Sequence, residues 1–377
     1  MNGHGTHVPF NERGGPLRGL LDLAAGRYPA FLFGGPIDGF LPVFHFHGVT
    51  PEWLEPRLQY LADHGYRTVT SDAIARLAID GVHPGPNRVA LCFDDAWASL
   101  WTVAAPLLRR FGFTAIAYAI PERIGDAHTT RPTLDDGVAD AGAADRSREP
   151  FVTWPELRRL HDAGTIDVQA HTWSHAMIFC ADRLTGFVTP EYAASPLLAR
   201  PLLSVDGRSR FQEVAELGAP LFVQRSRMSD GLRFLVHEPI RQRTIEHVAS
   251  HGGAAFFERP GWKRELARLV SGQTRGRHET PEQRERAILD ELDRCRAVLT
   301  ERLGSAGIRH ICLPWGVAGD VTRQALRATG YRTAFSNQMK GSWAVRAGDD
   351  PYRLKRLNSK YLFRLPRRSR NSSTGRA

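Results

Sequence analysis

The chain has 377 residues, of which 42% are hydrophobic and 24% are charged, a composition typical of a folded globular protein. This balance excludes wholesale disorder, and the length allows one large domain or two smaller ones. The formal net charge is +10, and only four of the 50 basic residues are lysines, a skew as typical of a coding bias as of a function. The four cysteines are widely spaced without a CxxC pair, so their pattern indicates neither a disulfide framework nor a thiolate metal site.

The N-terminus lacks a charged start followed by an apolar stretch, so we do not expect a secretory signal. No apolar run approaches the roughly 18 residues that a membrane-spanning helix needs. We therefore expect a cytoplasmic protein. The basic residues that accumulate between Arg353 and Arg370 could contact phosphate at the inner membrane surface, although a solvated tail is the simpler interpretation. No aromatic residues alternate with them as in nucleic-acid-binding modules, so no nucleic-acid partner is expected.

Strand and helix patterns alternate along most of the chain. Residues 1–37 are rich in Gly and Pro and predict an irregular lead-in with one short helix. From 38 to 175, short apolar runs alternate with amphipathic helices such as Pro51–Gly65, and the same alternation resumes from 280 to 340. Alternation of this kind is typical of an α/β fold with parallel strands.

Two segments depart from this alternation. Residues 176–279 combine Pro- and Gly-containing loops with short helices, and we interpret them as an inserted subdomain or lid. An insertion that begins after a strand end is expected to cover the catalytic face of the fold, and a lobe on its side is the alternative. Residues 341–377 form a basic C-terminal segment.

Two polar motifs stand at the ends of predicted strands. Asp94 and Asp95 end one apolar run, and His171 and His175 follow another. Catalytic groups of α/β barrels gather at the carboxyl ends of strands. Two adjacent buried carboxylates cost several kcal/mol each, roughly, unless they are paired, and a bound cation removes that cost for one of them. Two imidazoles and one carboxylate leave open positions on a metal, which is typical of a catalytic site.

Each motif alone has a simpler interpretation. Two histidines four residues apart often lie on a surface helix, and paired aspartates after a strand usually form a turn or a helix cap. Their joint occurrence at two strand ends favours the catalytic site. The expected cofactor is a divalent metal ion, zinc, with cobalt, nickel or manganese as alternatives.

At these residues the chain resembles the polysaccharide deacetylases with a NodB-homology domain, the family 4 carbohydrate esterases. Segment 92–96 (CFDDA) is similar to the family's first motif, Thr-Phe-Asp-Asp-Gly, and segment 171–175 (HTWSH) matches its second, His-Ser/Thr-x-x-His. Segment 313–316 (LPWG) is similar to the third, which ends in Pro-Tyr. The resemblance covers roughly 40–175 and 280–337, as in a divergent member with a large insertion.

The resemblance implies an irregular (β/α) barrel of about seven strands. It also implies a metal-dependent hydrolase that removes an acetyl or formyl group from an amino-sugar or glycan substrate. Because no secretion signal is found, the expected substrate is made inside the cell and is lipid- or nucleotide-linked. Two alternatives stay open: a hydrolase of a non-sugar amide or cyclic ureide, and a catalytically impaired carbohydrate-binding relative.

The resemblance also implies a role for each motif residue. Asp94 is expected to be the general base, and Asp95, His171 and His175 are expected to bind the metal. The backbone N–H of Trp315 is expected to help hold the oxyanion of the tetrahedral intermediate.

Three departures from the family pattern affect these expectations. Ala96 replaces the Gly of the first motif, a strained substitution if its φ is positive. Cys312 stands where the third motif often has an Arg that orients the base. No Leu-x-His near the C-terminus supplies the family's general acid. His45 or His47, which strand alternation places on one face, is the replacement that we consider.

Overall fold

The computed structural model describes residues 16–367, apart from Asp38, Ala139, Arg148, 195–196, 206–207, 212–215, Gln273 and 337–342. Its helices are α1 Pro16–Ala24, α2 Pro51–Asp63, α3 Ser71–Asp80, α4 Ala105–Phe111, α5 Trp154–Asp162, α6 Glu238–Ser250, α7 Trp262–Val270, α8 Pro281–Leu303 and α9 Asp320–Ala328. Its strands are β1 Val43–Phe46, β2 Arg67–Thr68, β3 Arg88–Asp95, β4 Ala115–Ala119, β5 Ile166–Ala170, β6 Met177–Phe187, β7 Leu202–Val205, β8 Arg208–Phe211, β9 Pro220–Ser226, β10 Phe234–Val236, β11 Gly276–His278, β12 His310–Cys312, β13 Thr333–Phe335 and β14 Leu357–Asn358.

The described chain forms two compact units. The first, which we call the barrel unit, comprises the described residues of Asn11–Ser174, Leu289–Val317 and Arg323–Ala377. The second unit comprises the described residues of His175–Ile288 and Ala318–Thr322. No helix among the described residues is long and apolar enough to cross a membrane.

Seven parallel strands form the main path of the sheet in the barrel unit, in the order β13–β12–β5–β4–β3–β1–β14, and β2 pairs with β3 beside it. The segment that contains β14 links the two ends of this path. Leu354 forms a parallel bridge with Phe335 of β13, and Leu357 pairs with Phe44 of β1. The strands therefore curl into an irregular barrel, which confirms the predicted fold class.

The interior of the barrel is filled by side chains from its strands. Cys92, Tyr118 and Phe335 belong to one buried cluster although they come from three different strands. The rings of Tyr118 on β4 and Phe335 on β13 are 6.0 Å apart, and these strands are not neighbours in the sheet. Side chains thus meet across the barrel, and the apolar runs of the sequence supply its core.

The C-terminal segment departs from its predicted form. Residues 343–367 belong to the barrel unit rather than to a solvated tail, because β14 lies in the sheet and the Arg356 side chain is buried. The hydroxyls of Tyr60 and Tyr66 donate hydrogen bonds to the backbone carbonyls of Leu365 and Pro366. The interpretation as a tail was wrong because it weighed charge alone. Buried leucines alternate with the basic residues: Leu354, Leu357, Leu362 and Leu365.

The second unit has its own core. Its strands β6 and β9 pair antiparallel, as do β7 with β8 and β10 with β11. A buried cluster joins Phe179 and Phe222 of the β6–β9 pair to Val248 of α6 and Leu266 of α7. In the sequence, most of this packed unit stands between two of the segments that build the barrel unit.

Candidate functional site

Strand alternation positions the first group of polar side chains. Ala90 and Cys92 of β3 and Val43 of β1 all belong to the buried interior cluster. Side chains two residues apart share a face of a strand, so Asp94 and His45 follow them onto the same face at the carboxyl ends of β3 and β1. A buried carboxylate therefore stands at the end of the barrel where catalytic groups of such folds lie.

Asp94 forms a bidentate ion pair with Arg356. The two guanidinium nitrogens lie 2.6 and 2.7 Å from the two carboxylate oxygens. Burial alone would raise the pKa of Asp94, but the charge of Arg356 and its two hydrogen bonds outweigh burial and hold that pKa well below its usual range. Asp94 is therefore ionised at neutral pH.

Arg356 also replaces the arginine that the third motif lacks. Its Nη2 lies 2.9 Å from Sγ of Cys312, the residue at the position where the family often has Arg. Cys312 is small, and the guanidinium enters from the segment before β14 instead of from β12. Its Cζ lies 5.6 and 5.3 Å from the ring centres of Tyr118 and Phe335 in the interior cluster.

A second group of residues forms a candidate metal centre. Asp95, His171 and His175 each offer one ligand atom, and these three atoms all lie within 4.8 Å of one another. All three residues are buried. His171 and His175 share one short loop that follows β5, and Asp95 ends β3. Two imidazoles with one carboxylate are a donor set of catalytic zinc sites, so these residues fit a divalent transition metal.

Neighbouring groups orient two of these ligands. The Nδ1 atom of His171 lies 2.6 Å from the carbonyl oxygen of Cys312. A carbonyl only accepts, so Nδ1 carries a proton, and Nε2 faces Oδ1 of Asp95 at 3.2 Å. The other oxygen of Asp95 accepts a hydrogen bond of 2.9 Å from the indole N–H of Trp97. Such contacts from a backbone carbonyl and a side-chain donor fix the geometry of metal ligands.

Backbone strain concentrates at the three motifs. Seven non-glycine residues of the described chain have a positive φ, and five of them lie in these motifs: Asp95 (68°), Ala96 (58°), Thr172 (64°), His175 (59°) and Trp315 (59°). Left-handed backbone costs roughly 1–3 kcal/mol for such residues and persists only where the surroundings enforce it. Because φ of Ala96 is positive, the alanine that stands in place of the glycine of the first motif has a strained backbone conformation.

Glu291 of α8 holds the loop between the two histidines. Its backbone carbonyl accepts a hydrogen bond of 2.9 Å from the N–H of Trp173. Its carboxylate accepts the N–H of Ser174 at 3.0 Å and also the Ser174 hydroxyl. The guanidinium carbon of Arg294, one turn further along α8, lies 3.8 Å from the centre of the Trp173 ring and covers one of its faces. Helix α8 therefore fixes the residues that separate His171 from His175.

Substitution of Glu291 by Ala is expected to weaken metal binding by about 10–100-fold, as loss of an outer partner of a metal ligand does. Glu291→Gln should lose less, because an amide can still accept the Ser174 N–H and donate to its hydroxyl. Leu292→Ala, which removes a buried neighbour on the same helix, is the matched control. It should lower the free energy of unfolding without changing metal affinity by calorimetry. Equal affinity losses in the Ala variants would contradict a specific anchor.

His45 and His47 both lie beside Asp94, each with a ring nitrogen within 4.8 Å of its carboxylate. The Nε2 atom of His47 is 3.8 Å from Oδ2 of Asp94, and its side chain is 55% exposed. Burial, and next the charge of Arg356, lowers the pKa of His45 to about 4. His45 is therefore neutral at neutral pH.

Sequence reasoning missed three residues that support the site. Arg356 lies within a basic run, Glu291 lies on an amphipathic helix, and Trp97 directly follows the first motif. Glu291 is the one buried acidic residue of α8. It can be distinguished from the other acidic residues of this helix only when the buried face of the helix is known. Cys92 lies beside the site with its thiol fully buried, which raises its pKa and leaves it a core side chain.

Part of the sequence is similar to known proteins. Residues 81–194 match the family model described as "Polysaccharide deacetylase". Poly-beta-1,6-N-acetyl-D-glucosamine N-deacetylase of Escherichia coli (strain K12) is 25% identical over 189 residues, which cover 50% of this chain and 26% of that relative. The chain thus spans about a quarter of the length of this curated relative.

Two solved structures are also similar to the chain. The deacetylase domain of BpsB from Bordetella bronchiseptica has a TM-score of 0.48 and 16% identity, over 86% of this chain and 98% of that one. IcaB from Ammonifex degensii has a TM-score of 0.46 and 16% identity, over 85% and 91%.

The family match contains both polar motifs. Asp94 and Asp95 and the loop from His171 to His175 lie within residues 81–194. The structure places them at the carboxyl ends of β3 and β5, the two strands that flank β4 in one parallel sheet. Over residues 81–194 the chain is therefore similar to the polysaccharide deacetylase family.

Proposed function

We propose that this chain is a metal-dependent N-deacetylase that acts on the amino sugars of a glycan. The observation that carries the proposal is the buried cluster of Asp95, His171 and His175 beside the ion pair of Asp94 with Arg356. The Escherichia coli relative, whose name gives poly-β-1,6-N-acetylglucosamine as its substrate, supports an N-acetyl sugar here. In the reaction, water attacks the amide carbon, the C–N bond breaks, and acetate and a free amine leave.

Different residues of the chain would bind the metal and stabilise the amide oxygen. Asp95, His171 and His175 would hold the cation, and zinc is the ion that this donor set favours. When bound, a divalent cation supplies Lewis acidity, which activates water and stabilises negative charge on the amide oxygen. The backbone N–H of Trp315 would donate a hydrogen bond to that oxygen as its charge develops.

Asp94 and His47 would transfer the protons of the reaction. Asp94 would accept a proton from the attacking water, because Arg356 keeps it ionised and fixes its plane. His47 would donate a proton to the amide nitrogen as the C–N bond breaks. Arg356 acts through Asp94 and is thus a positioning residue.

Acetate release from N-acetylated sugars tests the proposed function. The full chain is stripped of metal with a chelator, reconstituted with zinc, and given β-1,6-linked and β-1,4-linked N-acetylglucosamine oligomers and an N-acetylated amine without a sugar. We expect zinc-dependent acetate release from at least one of the sugars and little from the simple amide. Release from the amide alone, or none from any substrate with zinc bound, would contradict the proposal.

Substitutions of His45 in β1 and of His47, which follows β1, should have different effects on kcat. His47→Asn is expected to lower kcat by about 10²–10⁴-fold, as loss of a general acid does. His45→Asn should lower it less, because a neutral imidazole cannot donate that proton at pH 7. Zinc content, measured alongside kcat in both variants, should not change. A larger loss in the His45 variant would reverse the assignment.

A further inference from the structure

The second unit carries another cluster of nitrogen and oxygen donors. His247 lies on α6, His251 follows the last residue of α6, and Glu265 lies in the first turn of α7. Each offers one ligand atom, and the three atoms all lie within 4.8 Å of one another. We propose that these three residues form a second metal site, which binds a zinc-type divalent ion and ties α6 to α7.

Helical spacing and packing bring the donors together. Residues four apart lie above one another on a helix, and the imidazole rings of His247 and His251 stack with centres 4.1 Å apart. The facing helix adds Glu265, whose Oε1 is 2.7 Å from Nε2 of His247. Both helices contribute to the apolar core of the second unit through Val248 and Leu266, so their separation is fixed.

Contacts with neighbouring groups orient His251 and Glu265 so that each can offer a ligand atom to a metal. Nδ1 of His251 lies 2.8 Å from the backbone carbonyl of His247, so this nitrogen carries the proton and Nε2 keeps its lone pair. Arg259 approaches the Glu265 oxygen that does not face His247, at 3.5 Å, which orients the carboxylate. The buried ring of Phe256 stands 5.6 Å from the His247 ring and 6.3 Å from the His251 ring and shields the cluster on one side.

The donor set also selects the kind of ion. Ligand bonds of about 2.0–2.2 Å in tetrahedral geometry put donor atoms roughly 3.3–3.5 Å apart, within the spread of this cluster after small side-chain rotations. Two imidazoles favour zinc, cobalt, nickel or copper, whereas magnesium and calcium require oxygen donors. With three protein ligands, a fourth position remains for water.

Zinc stoichiometry tests this site separately from the candidate centre in the barrel. The full-length His171→Ala/His175→Ala variant lacks two of the three residues of the cluster of Asp95, His171 and His175, so any zinc that it holds is bound elsewhere. We expect one zinc per chain in this variant by elemental analysis and calorimetry, and a melting temperature that rises when zinc is added.

Adding His251→Gln should remove that zinc while leaving the His247–Glu265 hydrogen bond in place. The affinity should fall by more than the roughly 10–100-fold that loss of an outer partner costs. Glu265→Gln gives a second variant with the same expectation, and replacement of His278, exposed on β11, by Gln is the control that should change nothing. Circular dichroism checks folding in each case.

The outcomes separate the two sites. If the barrel variant holds no zinc at concentrations that saturate the wild type, or if its affinity survives both the His251 and Glu265 substitutions, the second site is wrong. If the wild type holds one zinc that disappears with His251→Gln and persists in His171→Ala/His175→Ala, the second site stands and the proposed barrel metal fails.

Discussion

Replacing His171 or His175 with Ala is expected to lower bound zinc by one ion per chain and to abolish acetate release, while the barrel stays folded. Loss of one of three protein ligands removes most of the affinity of an open metal site. The sheet is held by its own interior cluster, in which neither histidine takes part. Elemental analysis after dialysis, acetate release and far-ultraviolet circular dichroism measure the three quantities on one sample.

Two further variants make this result specific. Asp95→Asn should resemble the histidine variants, because it weakens the third ligand. His128→Ala changes an exposed histidine on a loop of the barrel unit and should retain both zinc and activity. Histidine variants that keep all their zinc and lose only turnover would show that the metal lies elsewhere.

The parts of this molecule that the sequence predicts are those set by local pattern. Apolar runs of four to eight residues ended by Asp or His identify strands, and parallel strands bring their carboxyl ends to one edge of a sheet. The sequence alone therefore predicts that Asp94 and Asp95 lie close to His171 and His175. The alternation of side chains along β1 likewise put His45 and His47 on one face.

The parts that could not be predicted depend on contacts across long stretches of chain. Arg356 pairs with Asp94 over a separation of 262 residues. In the sequence it is one of several basic residues near the C-terminus, and nothing local distinguishes the guanidinium that enters the barrel from those in solvent. The missing third-motif arginine was a signal that some other cation should neutralise Asp94, because a buried carboxylate requires a partner.

Glu291 escaped prediction for a different reason. Helix α8 carries many charged residues, and a periodic pattern shows which face is apolar but not which acidic side chain turns inward. The contact that matters also uses the backbone carbonyl of Glu291, which every residue possesses. Such anchoring of a loop by a helix is decided by tertiary packing, and the strained φ of Thr172 and His175 shows that this packing enforces the loop's conformation.

Arg356→Leu is expected to lower the free energy of unfolding by about 3–5 kcal/mol, because it leaves Asp94 buried without its counter-charge. Activity should fall together with stability, since the carboxylate loses both its ionised state and its fixed plane. Arg356→Lys keeps the charge but cannot form the two parallel hydrogen bonds, so an intermediate loss is expected. Arg353→Leu, which removes a partly exposed basic residue of the same segment that pairs with Asp350, is the control and should change stability by less than about 1 kcal/mol.

The double variant Asp94→Asn/Arg356→Leu separates the cost of the stranded charge from the loss of catalysis. Removing both charges should recover much of the stability in urea unfolding, yet acetate release should stay at the level of the Asp94→Asn single variant.

The pH dependence of stability gives the same test without a second substitution. In the wild type, Asp94 has a lower pKa in the folded protein than in the unfolded chain, where it is about 3.9. Its ionised form therefore stabilises the fold above that pH, and this stabilisation is lost as the pH falls further. In Arg356→Leu burial raises that pKa, so the stability difference between the two proteins should shrink on acidification. A difference that stays constant between pH 7 and pH 4 would mean that Arg356 stabilises the barrel by packing against Tyr118 and Phe335 rather than through Asp94.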